Sequence, residues 1–223
     1  RLSSQPNLEM REGLAAGFEM TEGRLSGLRL EGGELVRCRA AVVTSGTFLR
    51  GLIHVGTTQV AAGRWGEAPS AALSEALSGL GLRVGRMKTG TPPRVSAKSV
   101  EWSKTTRSLG DLQPRAFSFR SRTEPFPRLP QVDCFLTHTT GRTHELIRRN
   151  LERSPLYSGV IRGRGPRYCP SIEDKVVRFA ERDRHQIFLE PEGLETDWTY
   201  LNGLSMSLPA EVQEEVVRSL PGL

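Results

Sequence analysis

Cysteine, lysine and aromatic residues are scarce in this 223-residue chain, and each scarcity narrows what the protein can be. Cys38, Cys134 and Cys169 are odd in number and far apart. They form neither a disulfide framework nor a zinc-ligand spacing, which argues for a reducing compartment and against a metal site. Aromatics make up 6% of the residues, and Trp65, Trp102 and Trp198 read as packing residues rather than platforms for stacking bases. His138, His144 and His185 lack a ligand spacing and read as structural. No apolar run approaches the roughly 20 residues that cross a bilayer, and no signal peptide opens the chain. No Gly-x-Gly-x-x-Gly opens a strand, so a dinucleotide fingerprint is missing as well. The first residue is arginine and the last follow a helical pattern, so the sequence reads as a piece of a larger protein.

Charge is plentiful and one-sided. The formal net charge is +6, and arginine outnumbers lysine 27 to 4. Such a balance suits RNA or nucleotide cofactors without selecting either. Arg148, Arg149, Arg153, Arg162 and Arg164 could extend a basic surface, although each taken alone reads as a solvated charge.

The richest stretch runs from Gly163 to Lys175 and joins a glycine-bearing basic loop, a cysteine and a helix start. Ser171 and Asp174 have the spacing of a capping box. Ile172, Val176 and Phe179 follow at helical spacing, with Lys175, Arg178 and Arg182 toward the polar side. A helix N-terminus offers unpaired N–H groups and a partial positive charge to an anion, and Arg167 adds a bidentate donor. Cys169, just before the helix and beside Arg167, is in a setting that favours the thiolate. A capped structural helix with a half-buried cysteine accounts for the same residues.

Periodicity elsewhere predicts a mixed α/β fold. Leu25, Leu28 and Leu30 form a strand, Glu31–Glu34 turn, and Leu35–Arg39 return. Ala40–Gly46 reads as a buried parallel strand ending at glycine. Ser70 caps a helix through Leu80, with Ala72, Leu73, Ala76, Leu77 and Leu80 inward and Gly81 as its stop. Leu82–Met87 reads as another strand, and Lys88–Arg94 as a plain loop without P-loop spacing. Residues 95–130 are polar and proline-containing, fit to wrap an existing surface. Further on come a strand at Cys134–Thr139, a helix capped by Thr143, a strand at His185–Glu190, and a last helix capped by Ser207 with Val212, Val216 and Leu220 on one stripe.

Several segments resemble those of the MnmG (GidA) family. They are Gly46-Thr47-Phe48-Leu49-Arg50-Gly51, Arg83-Val84-Gly85-Arg86-Met87-Lys88-Thr89-Gly90-Thr91-Pro92-Pro93-Arg94, and Gly165-Pro166-Arg167-Tyr168-Cys169-Pro170-Ser171-Ile172-Glu173-Asp174-Lys175. Cys134–Thr139, His185–Gly193 and Gly203–Pro209 add to them in the family's order, covering nearly the whole chain from about Gln5. The resemblance implies an FAD-dependent tRNA-modifying enzyme that works with a GTPase partner of the MnmE type. Such enzymes install an aminomethyl or carboxymethylaminomethyl group at carbon 5 of the wobble uridine. NADH and methylenetetrahydrofolate as one-carbon donor are implied too, with a homodimer in the cytoplasm.

On this resemblance, residues 1–93 are the central part of a Rossmann-like, glutathione-reductase-like FAD-binding domain, and 94–223 most of an inserted α/β domain associated with NADH. Leu14, Gly46, Thr47 and Ser70 fall at the flavin site. Gly165, Pro166, Arg167, Tyr168, Cys169, Pro170, Ser171, Ile172, Glu173, Asp174, Lys175, Val176, Val177, Arg178 and Phe179 match the segment that binds the nicotinamide dinucleotide. Arg167 and Lys175 face either its phosphates or the tRNA backbone. Cys169 becomes the candidate nucleophile for carbon 6 of uracil, an attack that makes carbon 5 nucleophilic. Two other readings are a general NADH:flavin oxidoreductase for a small substrate and a non-catalytic tRNA-binding module.

Overall fold

A computed structural model describes residues 2–119, 121, 126–163, 165–166 and 169–223. The chain divides into two compact units, Arg1–His54 with Thr58–Gly85, and Val55–Thr57 with Arg86–Leu223.

The first unit is built on an antiparallel meander of β1 (Ala15–Thr21), β2 (Arg24–Leu30) and β3 (Leu35–Arg37). Glu22 and Gly23 connect β1 to β2 with φ of 51° and 75°, the two left-handed residues that let a two-residue hairpin follow strand twist. Phe18 pairs with Leu28 and Leu28 with Val36. A short hairpin, β4 (Leu52–Val55) with β5 (Thr58–Ala61), comes next. Helix α1 (Ala71–Gly79) lies on β1, where a Cβ on Gly17 would stand 4.0 Å from the Ala76 methyl. Small side chains on both partners permit that approach.

The second unit carries a five-stranded antiparallel sheet in the order β6-β10-β9-β8-β7. Its strands are β6 (Arg94–Ser96), β7 (Thr106–Ser108), β8 (Cys134–His138), β9 (Gln186–Pro191) and β10 (Trp198–Asn202). Helices α2 (Gly141–Arg149), α3 (Ile172–Arg178) and α4 (Ala210–Arg218) share one core with it. Ile187, Leu189 and Leu201 from the central strands meet Ile147, Ile172, Val176 and Val216 from the helices, all fully buried. Each such side chain contributes about 1.5–3 kcal/mol by leaving water.

Mixed α/β structure agrees with the sequence, but several local expectations do not hold. Ala40–Ser45 forms no strand, and Val42 is 89% exposed. A buried parallel strand needs hydrogen-bonded neighbours on both sides, and the described residues supply none there. Leu82–Met87 fails in the same way, with Leu82, Val84 and Met87 exposed. Ser70 occupies the cap position of α1 without a side-chain cap bond, and Leu80 faces solvent. Helix α2 is capped by Thr140, whose hydroxyl accepts from Thr143 N–H, so Thr143 is the other half of a capping box. Pro209, not Ser207, caps α4. Phe179 closes α3 exposed, with the Arg182 guanidinium 5.2 Å from its ring centre. Within 95–130, Val100 is buried and Trp102 packs on Phe135 at 4.6 Å, whereas Trp65 and Trp198 are exposed. Strands β1, β4, β5, β6, β7 and β10 are not among the elements that the periodicity predicts.

Two buried histidines stack near the start of α2. His144 and His185 lie 5.2 Å apart between ring centres. Thr139 lies beside both: its hydroxyl accepts the His185 backbone N–H and stands 2.8 Å from His144 Nε2. Burial is the first cause that lowers both imidazoles below the usual 6.5; Arg148 adds to it at His144, and His144, Lys175 and Arg182 add to it at His185. The unfolded chain therefore binds protons that the folded chain resists, so stability is full above the ordinary histidine range and declines as pH falls through it. Thermal unfolding of the intact protein between about pH 7.5 and about pH 5 should show a falling midpoint, flattened by replacing both histidines with glutamine. An equally steep decline in that double variant would show that other groups cause it.

Candidate thiol site at the start of helix α3

Three loops of the second unit meet around the first turn of α3. Gly163 lies against the main chain of Met87 and Lys88: a Cβ on it would stand 3.0 Å from Met87 C and 3.1 Å from Lys88 N. The Cδ of Lys88 lies 3.6 Å beneath the same position on Gly165. At Gly90, a Cβ would be 2.8 Å from that of Ser205. Glycine at 163 and 90 is thus a condition of loop contact. The half-buried thiol of Cys169 faces Thr89, with Sγ 3.9 Å from Oγ1. Its N–H donates to Pro166 O at 3.3 Å. Burial first raises the Tyr200 phenol above the ordinary range, with Arg94 opposing and Glu190, Glu192 and Cys169 adding. Arg94 stacks over that ring at 5.2 Å.

The capping box is present as the spacing implied. Ser171 Oγ accepts Asp174 N–H at 3.1 Å, and Asp174 Oδ2 accepts Ser171 N–H at 3.2 Å. Beyond it, α3 turns inward. Ile172 N–H donates to Ser205 O at 2.7 Å. Glu173, fully buried, accepts Ser207 N–H at 2.9 Å and the Ser207 and Ser154 hydroxyls at 3.2 Å, all on Oε1. Lys175 reaches the same loop, its Nζ donating to Gly203 O at 3.0 Å, and burial lowers its pKa. Two of the first-turn N–H groups therefore have internal partners, and Glu173 and Asp174 already place negative charge at the positive end of the helix. This setting does not favour a further anion. Lys175 is a structural tie rather than a free cation.

The other anticipated site residues are distributed as follows. Gly165, Pro166 and Pro170 are exposed, as are Val177, Arg178 and Phe179, while Ser171, Ile172 and Val176 are buried. Arg167 and Tyr168 lie outside the described residues, as does Arg164. In the first unit, Thr47 and Ser70 gather around Phe48: Thr47 donates to Gly63 O at 2.7 Å, and Ser70 N–H to Phe48 O at 2.8 Å. Gly46 adopts φ of 56° beside open space. Leu14 is exposed ahead of β1, its carbonyl accepting Glu31 N–H at 2.9 Å. Sequence reading missed Lys88, Thr89 and Tyr200. The approach of 87–89 to Gly163, Gly165 and Cys169 is long-range, and only the glycines at 163 and 165 hinted at it.

Fold and site together define a mixed α/β protein with a thiol held between two loops at a helix start. The family described as Glucose inhibited division protein A matches residues 1–223. Relatives named tRNA uridine 5-carboxymethylaminomethyl modification enzyme MnmG include those of Myxococcus xanthus, 51% identical, and Bdellovibrio bacteriovorus, 49% identical, each over the whole of this chain. The chain spans 37% and 34% of their lengths, about a third. Two crystal forms of Aquifex aeolicus GidA match it throughout, with TM-scores of 0.88 and 0.87 at 45% and 42% identity, over 38% and 36% of those chains. The chain belongs to the Glucose inhibited division protein A family.

Replacing Glu173 with alanine leaves the Ser207 N–H and two hydroxyls without their buried acceptor. Each such loss costs about 1–3 kcal/mol. A clear drop in the thermal unfolding midpoint of the intact protein is expected, and an unchanged midpoint would show that the tie is dispensable.

Proposed function

We propose that this chain is the central portion of an FAD-dependent enzyme that modifies carbon 5 of the wobble uridine in tRNA. The observation that supports it is about half identity over the whole length of the chain with enzymes bearing that name. Residues 1–93 are then part of the FAD-binding domain and 94–223 most of the domain associated with NADH. Gly46, Thr47 and Ser70 suit the flavin, because the turn at Gly46 opens onto free space and Val42 and Val43 present apolar surface before it. FAD, when bound, supplies the redox chemistry that accompanies transfer of a methylene unit.

The nicotinamide dinucleotide fits the exposed backbone of Gly165, Pro166 and Pro170 better than Ser171–Val176, whose polar groups are committed internally. NADH as reductant, methylenetetrahydrofolate as one-carbon donor, a GTPase partner of the MnmE type, a homodimer and a cytoplasmic setting belong to the same proposal. Among the described residues no helix is long and apolar enough to cross a membrane.

Cys169 takes the nucleophile's part in this reading. Its sulfur is half-buried and faces a hydroxyl, and a thiolate there can add to carbon 6 of a uracil presented at the loop. Nucleoside mass spectrometry of tRNA provides the test, in a strain lacking the full-length gene and complemented with wild type or Cys169→Ser. Loss of the 5-substituted wobble uridine on deletion, restored only by wild type, is expected. Restoration by both would keep the pathway and remove Cys169 from the chemistry. An unchanged nucleoside profile on deletion would reject the tRNA reading.

A further inference from the structure

We propose that Lys88 is the cation that stabilises the negative charge developing on the uracil ring when Cys169 attacks it. This inference rests on the reading of Cys169 as nucleophile. The Lys88 side chain is 9% exposed, unusually enclosed for a lysine. An ammonium has three N–H donors and no acceptor of its own. Among the described residues its nearest carboxylate, Asp174, stands 3.9 Å away, beyond hydrogen-bond distance. That carboxylate is also engaged by Ser171 N–H at 3.2 Å, Ser171 Oγ at 3.3 Å and Arg178 at 3.6 Å. An enclosed ammonium with one carboxylate at 3.9 Å among the described residues favours an anionic oxygen brought by a ligand.

Two placements put the Lys88 loop beside the thiol. Lys88 directly precedes Thr89, whose hydroxyl faces the Cys169 sulfur at 3.9 Å. Neighbouring α-carbons are about 3.8 Å apart, so the cation and the thiol partner issue from adjacent points of one loop. The stem of Lys88 lies against Gly165, where a Cβ would stand 3.6 Å from its Cδ. Lys175, the other lysine near this helix, is tied to Gly203 O. Lys88 is thus the lysine available to the thiol site.

The step balances without an oxidant or reductant. The thiolate pair forms the S–C6 bond, the C5=C6 π pair becomes the C4=C5 bond, and the C4=O π pair moves onto the exocyclic O4 as an enolate. Carbon 5 then attacks the one-carbon electrophile. Loss of the C5 proton and cleavage of C6–S return the thiolate. Lys88 faces the enolate oxygen, where a pre-placed donor is worth about 100- to 1000-fold in rate.

The test uses the full-length enzyme with Lys88→Met and Lys88→Arg. For K88M, a fall in kcat of about 100-fold or more is expected, with KM for tRNA and NADH within about threefold of wild type and partial recovery in K88R. Unchanged kcat, or a loss confined to KM for either ligand, would overturn the inference, the latter marking a phosphate contact instead. Transfer RNA carrying 5-fluorouridine at the wobble position gives a second readout, the covalent adduct on the Cys169 peptide. Its formation should slow by a similar factor in K88M. A wild-type adduct rate in K88M overturns only the role of Lys88. Absence of any adduct with the wild-type enzyme overturns the nucleophile reading and this inference with it. Should K88M not fold, Lys88→Gln keeps a polar group in the enclosed position and serves the same measurements.

Discussion

The buried carboxylate of Glu173 is the interaction on which the thiol site most depends. One of its oxygens gathers a backbone N–H and two serine hydroxyls from elements distant in sequence. A buried charge-capable group with several donors is well held, whereas the same group with its partners removed is costly. Its neighbours Ile172 and Lys175 fasten the same loop at Ser205 and Gly203. The first turn of α3 thereby locks residues 203–207 in place, and Ser205 in turn abuts Gly90 of the loop that presents Lys88 and Thr89.

Local chemistry was the most legible part of the sequence. The Ser171–Asp174 capping box, the turn at 31–34 and the Val212–Val216–Leu220 stripe each follow from residues within a few positions of one another. Caps were misplaced where a second hydroxyl competed: Thr140 outranks Thr143 because its side chain lies outside the helix. Ser207 failed as a cap because its hydroxyl and N–H serve Glu173. Strand β1 escaped notice since Ala-Ala-Gly-Phe-Glu-Met-Thr barely alternates, and its bulges break what alternation there is. Apolar runs such as Ala40–Ser45 state an appetite for burial but not the partner that satisfies it.

The candidate site was legible in half. Cys169 and the helix start stood out because they are contiguous, yet their surroundings depend on a contact spanning 80 residues of sequence, Thr89 to Cys169. Helix-dipole reasoning from sequence leaves out which N–H groups are free at an exposed helix start. Here the Ile172 N–H goes to the carbonyl of Ser205 and the Asp174 N–H to the Ser171 hydroxyl. Lysine charge is equally silent on direction, and Lys175 carries its ammonium inward to a carbonyl.

The ties between α3 and the 203–207 loop are unequal in kind. On the loop side three of the four use main-chain atoms, Gly203 O, Ser205 O and Ser207 N, and the fourth uses the Ser207 hydroxyl. On the helix side three of the four use side chains, those of Glu173 and Lys175. Sequence drift should therefore be asymmetric across this contact. A position such as 205 can change within the room that Gly90 leaves it, because any residue there offers the same carbonyl. Positions 173 and 175 have no such latitude, since another side chain there would alter the bond itself.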